Sequence, residues 1–306
     1  MTSLHNPGVH RYALFTVACT VLLLVAGALV TSNDAGLAVP DWPTSYGTFF
    51  PPMVGGIFYE HGHRMVATFV GLVTIGLAVI LWRSESRPWM RRLGLVALGA
   101  VIAQGLLGGL TVKLRLPPEV SIAHAALAQA FFCITVAVAV FTGRWWQQDV
   151  PAIEDAGRPR LRALSAWLVG VTFVQLVLGA GYRHNALVIA PHLVGAAAVL
   201  ALVILAGRVV RQRFAGQLEL RRLAKGLNAV VGSQILLGGA AWWSRLATRE
   251  APQPQPVMIW LTVAHTVVGA IVLATVVVFA LVCHRMLTAA QEPAVVSGVS
   301  HTGAAV

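Results

Sequence analysis

Charge is scarce in this sequence. Of its 306 residues, 11% are Asp, Glu, Lys or Arg and 57% are hydrophobic, and the mean hydropathy is +0.76. That balance excludes an ordinary water-soluble domain and fits a chain that crosses a bilayer many times. Cysteine is nearly absent. Cys19, Cys133 and Cys283 stand far apart inside apolar stretches, which excludes a zinc or iron–sulfur spacing and leaves them as small buried hydrophobes. No acidic residue interrupts the middle of an apolar run and no run is broken there, which argues against a transporter. The amino-terminal segment lacks the Arg- and Ser-rich character of an organellar presequence, and the first apolar run is too long for a cleaved signal. A bacterial plasma membrane is the expected location.

What the chain does contain is apolar runs of about twenty residues, the length of a membrane-crossing helix. Eight are expected, near 12–31, 62–82, 93–112, 121–142, 162–181, 187–207, 226–244 and 257–284. Basic residues outnumber acidic ones 22 to 11. They gather in the amino-terminal tail, in 83–92, 143–162 and 208–225, and after residue 284, which together hold 16 of the 22; Arg64, Lys113, Arg115, Arg183, Arg245 and Arg249 lie on the other side. That asymmetry reads as positive-inside, with both termini cytoplasmic. It explains the basic balance without a nucleic-acid partner.

The chain also repeats. Gln104-Gly105-Leu106-Leu107-Gly108-Gly109 in the third run matches Gln234-Ile235-Leu236-Leu237-Gly238-Gly239 in the seventh, and Gln175-Leu176-Val177-Leu178-Gly179 lies in the fifth. Each precedes a histidine at the start of the next run: His124, His265 and His192. The expected fold is an all-α membrane protein of eight transmembrane helices. They form two pseudo-symmetric four-helix bundles related as a parallel repeat, because four crossings restore the starting side. The domains would be 1–145, a cytoplasmic linker 146–160, a second half 161–290, and a flexible tail 291–306. Small residues allow close helix approach; they also leave room for a flat macrocycle. The roles of the three glutamines stay open between interhelical hydrogen bonds and contact with a ligand.

Four histidines, His63, His124, His192 and His265, stand near the same end of the even-numbered runs. An ionisable ring in hydrocarbon needs a partner, and two imidazoles on facing helices can hold one haem iron from both sides. The expected axial ligands are His63 with His124 and His192 with His265, with both haem sites toward the outer side. A closed zinc site wants four ligands gathered compactly, and copper favours thiolate or thioether ligands, of which only Met65 is near. The first half differs from the second. Glu60-His61-Gly62-His63-Arg64 puts a carboxylate one turn from His63, available as a general acid or base or to hold a water, whereas Ala190-Pro191-His192 has none. Arg64 is expected to pair with a haem propionate or to snorkel to the interface. His61 and His184 are expected at the solvated surface. The outer segment from Ser32 to His61 is long and Pro-rich, either functional in its own right or a rigid cap with interfacial aromatics.

These residues carry a resemblance. Glu60-His61-Gly62-His63-Arg64, the Pro40-Asp41-Trp42-Pro43 run, and His124, His192 and His265 together resemble the haem A synthase family over nearly the whole chain. The resemblance implies an eight-helix membrane enzyme that oxidises a ring methyl of haem O to the formyl of haem A, for cytochrome c oxidase biogenesis. It implies haem O at His63 and His124, an electron-passing haem B at His192 and His265, and a functional glutamate at Glu60. A haem O synthase and oxidase assembly factors would be partners. Many members carry two cysteines flanking the Pro-Asp-Trp-Pro run; here those places look like Val39 and Ser45, so no thiol step is available. The alternative is a b-type cytochrome that relays electrons, for example from a quinol, and leaves haem unmodified. The long loop and Glu60 argue against it.

Overall fold

The computed structural model describes residues 6–289; the expected tail 291–306, with His301, and the residue His5 lie outside the described residues. Among the described residues eight long helices carry the chain: α1 (Pro7–Ser32), α2 (Gly55–Ser84), α3 (Pro88–Lys113), α4 (Pro118–Thr142), α5 (Leu161–Arg183), α6 (Ile189–Arg213), α7 (Leu218–Ala247) and α8 (Pro256–Met286). Their starts are written in the sequence. The Asn6 side chain accepts hydrogen bonds from the amides of Gly8 and Val9 ahead of Pro7. Pro88, Pro118 and Pro256 occupy first-turn positions where a missing N–H is harmless.

Seven of the eight are long and apolar enough to cross a membrane. The exception is α7. It begins eight residues before the expected run, taking in Glu219, Arg221, Arg222 and Lys225, and carries Asn228, Ser233 and Gln234 further along. The eight-span expectation therefore holds for helices and falls short by one on apolarity. A second difference concerns α2, which starts at Gly55 rather than near residue 62. Glu60 and His61 accordingly sit inside the helix and not at its mouth.

The helices pack in two rings of four. In the first, α1 and α3 each pack on α2 and α4; in the second, α5 and α7 each pack on α6 and α8. The rings meet through α4 on α8, α1 on α8, and α4 on α5. Exchanging helices 1–4 with 5–8 maps this set of contacts onto itself. The largest apolar cluster lies within the second ring, around Leu168, Val203, Leu227 and Phe279. A smaller one, with Phe132, Ala270 and Ala274 against Val17, Val21 and Leu24, fills the seam between the rings.

The segment 146–160, expected as a plain linker, is more than that. A short strand β1 (Ile153–Asp155) pairs in parallel with β2 (Leu287–Ala289) after α8, Ile153 opposite Leu287. Asp155, 1% exposed, accepts from the amides of Leu161 and Arg162, so a residue six positions away caps α5. Arg213 donates to the carbonyls of Ala156 and Pro159. The connection between the two halves is thus fastened at both ends.

Candidate functional site

Each of the four histidines lies within the first three turns of an even-numbered helix, beside the closing turns of the odd-numbered helix before it. At each one a glycine of that preceding helix faces the ring. A Cβ at Gly27 of α1 would stand 3.1 Å from Cε1 of His63; at Gly108 of α3, 3.2 Å from His124; at Gly179 of α5, 2.8 Å from His192; at Gly238 of α7, 2.8 Å from His265. The glycines of the odd helices are therefore ring seats. A methyl group in any of these places would press on the imidazole.

Three of the seats have a glutamine one turn earlier on the same helix face. The amide nitrogen of Gln104 donates to the backbone carbonyl of His124 at 2.9 Å and lies 3.2 Å from its Nδ1. Gln175 does the same at His192, at 2.9 and 3.0 Å. Gln234 approaches His265 at Nε2, 3.4 Å away. In this structure all three glutamines reach across to the histidine of the next helix. The amide oxygens of all three glutamines are buried without a partner.

The rings of His192 and His265 have centroids 6.3 Å apart and planes at 83°. Two imidazoles on opposite faces of one iron, each bonded nitrogen roughly 2 Å from the metal, put their centroids about 6 Å apart. The pair has the spacing a bis-histidine haem needs. In the first ring the Nδ1 of His63 is buried without a partner. Buried polar atoms of this kind are rare in a finished core, and the donor set of neutral imidazoles suits haem iron.

Over the first pair lies the long loop, held down from α2. Glu60, 4% exposed, accepts from the Val39 amide at 2.8 Å and pairs with Arg64 at 2.6 Å. Arg64 also donates to the carbonyls of Asp41 (2.7 Å), Thr44 (2.8 Å) and Val39 (3.3 Å). Arg64, expected to pair with a haem propionate or to snorkel to the interface, holds the loop with its guanidinium in this structure. His61 is likewise not solvated. It is 7% exposed, and its Nδ1 shares a hydrogen bond of 2.8 Å with the Ser45 hydroxyl, because α2 starts early and turns this face under the loop. Val39 and Ser45, the two positions without cysteine, are thus both tied to α2 by polar contacts.

The loop has its own knot. The Asp41 carboxylate accepts from the Gly47 amide (2.9 Å), the Thr44 hydroxyl (2.6 Å) and the Tyr46 amide (2.6 Å). These donors, Gly47 first, hold its pKa well below the usual carboxylate range. Trp42 packs on α3 at Gly109, where a Cβ would come within 2.6 Å of the indole. Phe49 and Phe50 at the tip are exposed, 68% and 88%, as an interfacial cap would have them. On the other ring the connection between α5 and α6 is five residues, 184–188. Burial and the neighbouring Arg183 push the His184 pKa down, and the residue is half-buried and not fully solvated.

Sequence reasoning missed Gly27. Its signal was present, a glycine near the end of an odd run, but Leu23 takes the place that Gln104, Gln175 and Gln234 take elsewhere, and the long loop hides the spacing to His63. His10 and His284 stand apart from the site, bonded to Thr142 and the Ala280 carbonyl respectively.

Comparison with known proteins gives a coherent answer. Residues 54–186 match the family described as cytochrome oxidase assembly protein, COX15-CtaA, a stretch that includes Glu60, His63, Arg64 and His124 and ends before His192. A haem A synthase of Symbiobacterium thermophilum is 33% identical over 181 residues, 56% of this chain and 58% of the relative. A haem A synthase of Bradyrhizobium is 30% identical over 210 residues, 56% and 55%. A protohaem IX farnesyltransferase of Halobacterium salinarum is 28% identical over 138 residues, 45% of this chain and 31% of the relative. The chain thus spans somewhat more than half the length of the haem A synthases it matches. The similarity to the COX15-CtaA family of cytochrome oxidase assembly proteins is confined to residues 54–186, somewhat under half of the chain.

Proposed function

We propose that this chain is an integral-membrane haem A synthase, oxidising the ring methyl of haem O to the formyl of haem A. The observation that carries the reading is the His192–His265 ring pair, 6.3 Å apart, in a frame that repeats the same glycine–histidine seat four times. The substrate, haem O, belongs to His63 and His124, and a resident haem B to His192 and His265. The two rings of helices are then a parallel duplication, with domains 1–145 and 161–290 joined by 146–160. The charge asymmetry puts both termini in the cytoplasm and the histidines toward the outer face of the cell membrane.

Haem B supplies one-electron redox chemistry when bound. The rest falls to the chain's own groups. His63 and His124 fix the substrate's iron, so the ring methyl has a defined place relative to α2. Glu60 lies one turn from His63 with both carboxylate oxygens occupied, Oε2 by the Val39 amide and Oε1 by Arg64. With water as the oxygen source, the methyl becomes a formyl with release of protons and electrons in equal number (R–CH3 + H2O → R–CHO + 4 H+ + 4 e−), the electrons leaving through haem B to an acceptor, and Glu60, one turn from His63, is the carboxylate that would take or relay the protons. Because the same carboxylate holds the loop, proton acceptance there loosens the clamp, and the loop shields the site from bulk water while it is held. A haem O synthase is the partner that would deliver substrate, which fits the likeness to a protohaem IX farnesyltransferase. Cytochrome oxidase assembly factors would take the product.

An electron-relaying b-type cytochrome would need neither the loop nor the Glu60–Arg64 clamp. Extraction of pigment from the purified protein separates the two: haem O or haem A beside haem B supports the synthase, and haem B alone supports the relay. Glu60→Gln removes the acid and keeps the shape. It should retain both haems and lower haem A yield by about tenfold or more, within the usual range for loss of an acid–base group; undiminished conversion at normal haem content takes Glu60 out of the chemistry.

A further inference from the structure

We infer that His63 is the ligand that lets the substrate go, because α1 carries Leu23 where each of the other odd helices carries a glutamine. This rests on the haem reading proposed above. The pattern is Gln104 with Gly108, Gln175 with Gly179, Gln234 with Gly238, and then Leu23 with Gly27, each pair four residues apart and on one helix face.

An imidazole bonded to iron through Nε2 carries a proton on Nδ1. The group that accepts that proton fixes the ring's orientation and raises its basicity as a ligand. At three seats a glutamine amide lies against the histidine, at 3.2 and 3.0 Å from Nδ1 of His124 and His192 and 3.4 Å from Nε2 of His265. At His124 and His192 the same amide nitrogen donates to the histidine's own backbone carbonyl at 2.9 Å, so the side chain against the ring is itself anchored, and all three amide oxygens are buried and unpaired. The fold makes room for these side chains. A Cβ at Gly195 would fall on the Gln175 amide oxygen, and one at Gly269 would stand 3.0 Å from the Gln234 amide nitrogen. At His265 the glutamine meets the ring at Nε2 and leaves Nδ1 unpaired, so the glutamine contacts at Nδ1 are those of His124 and His192.

His63 has no such neighbour. Its Nδ1 is buried and unpaired. Leu23 instead joins an apolar cluster with Cys19, Val66, Val70, Ala97 and Phe131. The nearby guanidinium of Arg64 is committed to Glu60 and the loop carbonyls. The His63 ring packs on Gly27 and has no hydrogen bond at Nδ1 among the described residues. The weakest of the four ligands therefore lies in the half assigned to a substrate that must enter and leave, under the loop that covers it, while both ligands of the resident cofactor have glutamine partners. Leu23, Gln104, Gln175 and Gln234 are positioning residues that set how long each haem stays.

The test measures haem transfer from the purified, haem-loaded protein in detergent to excess apomyoglobin, with extracted haem identified by chromatography and ligation followed by spectrum. The wild type should lose its O- or A-type haem about tenfold faster than haem B, at the low end of what loss of an outer hydrogen bond costs a metal site. Leu23→Gln should bring that rate down toward the haem B rate, and Leu23→Met, which keeps the apolar shape, should not. Gln175→Leu should speed loss of haem B, and Gln104→Leu should speed loss of the other haem further. Equal rates for the two haems in the wild type, or Leu23→Gln with normal spectra and unchanged fast loss, overturn the inference. If Leu23→Gln does not accumulate, the two glutamine variants decide: unaltered rates in both overturn it. A wild-type protein without a low-spin bis-imidazole spectrum overturns the haem reading itself, a result distinguishable from the others.

Discussion

The two rings of helices offer the same seat four times and furnish it differently. In the second, both histidines have a glutamine beside them and the covering connection is five residues long. In the first, one histidine lacks the glutamine, and a loop of 22 residues (33–54) is pinned over the site through Glu60, Arg64 and His61. The difference teaches that the helical frame specifies only where imidazoles meet. The two rings differ in the residues one turn away and in the loop, and on the reading proposed above that is where their roles part. A site built to keep its occupant needs ligands held rigidly from behind; a site built to process and release one needs a cover that opens and a ligand that is less firmly held.

The comparison breaks most severely if the wrong haem disappears. His63→Ala should abolish binding of haem O or haem A and leave haem B, and His192→Ala should do the reverse, each loss close to complete; chromatography of extracted haem reads both. Loss of both haems in either variant would mean that the halves do not divide the work. The glycine seats come next. Gly179→Ala and Gly238→Ala put a methyl 2.8 Å from a ring carbon, closer than Gly27→Ala and Gly108→Ala at 3.1 and 3.2 Å. Overpacking of this kind costs about 1–3 kcal/mol. The second-half variants should therefore lose haem and thermal stability more than the first-half ones, measured by haem content and melting of the purified protein. A larger effect at Gly27 would reverse that order.

Much of this was legible in the sequence, for physical reasons that can be named. Polar rings in apolar runs are rare, which is why the sequence singles out His63, His124, His192 and His265, and Glu60 by its spacing from His63; the structure sets each of the four rings against a glycine of the preceding helix. Gln104, Gln175 and Gln234 were visible as a repeat without a role, since a repeat does not say which neighbouring helix a side chain reaches. Gly27 and Leu23 escaped because the repeat is broken there, and a broken repeat shows only once the seats are superposed in space. His61 was expected in solvent, and the loop contacts of Arg64 were not foreseen, because the start of α2 at Gly55 goes with loop contacts to Val39, Asp41, Thr44 and Ser45, which have no periodicity to betray them. The strand pair Ile153–Asp155 with Leu287–Ala289 joins segments more than 130 residues apart in short runs that carry no pattern of their own.

Finer variants sharpen the contrast at the loop. Arg64→Ala removes the donor shared by Glu60 and three loop carbonyls, leaving a carboxylate that is 4% exposed without its ion-pair partner. Breaking such a pair costs more than an exposed one is worth, about 3–5 kcal/mol when fully buried, so the variant should melt earlier and expose the 33–54 segment to protease. The 184–188 connection should stay as protected as in the wild type. If both segments become sensitive together, Arg64 supports the whole bundle and not the loop.

The smallest expected effect is one of pH. Asp41 is held below the ordinary carboxylate range by the Gly47 and Tyr46 amides and the Thr44 hydroxyl. A carboxyl group depressed in the folded loop stabilises it fully above its unfolded pKa, about 3.9, and loses that contribution as pH falls through the lower folded value. The loop should thus stay closed from neutral pH down to about 4 and loosen only below it. Trp42 reports the change, because it packs on Gly109; the difference in emission between wild type and Trp42→Phe isolates its signal. Asp41→Asn keeps the size of the side chain but removes the titrating charge, so its Trp42 signal should be altered already at pH 7 and no longer follow the acid limb. A Trp42 transition centred near pH 6 in the wild type, or an acid limb unchanged in Asp41→Asn, would take control of the cover away from the Asp41 knot.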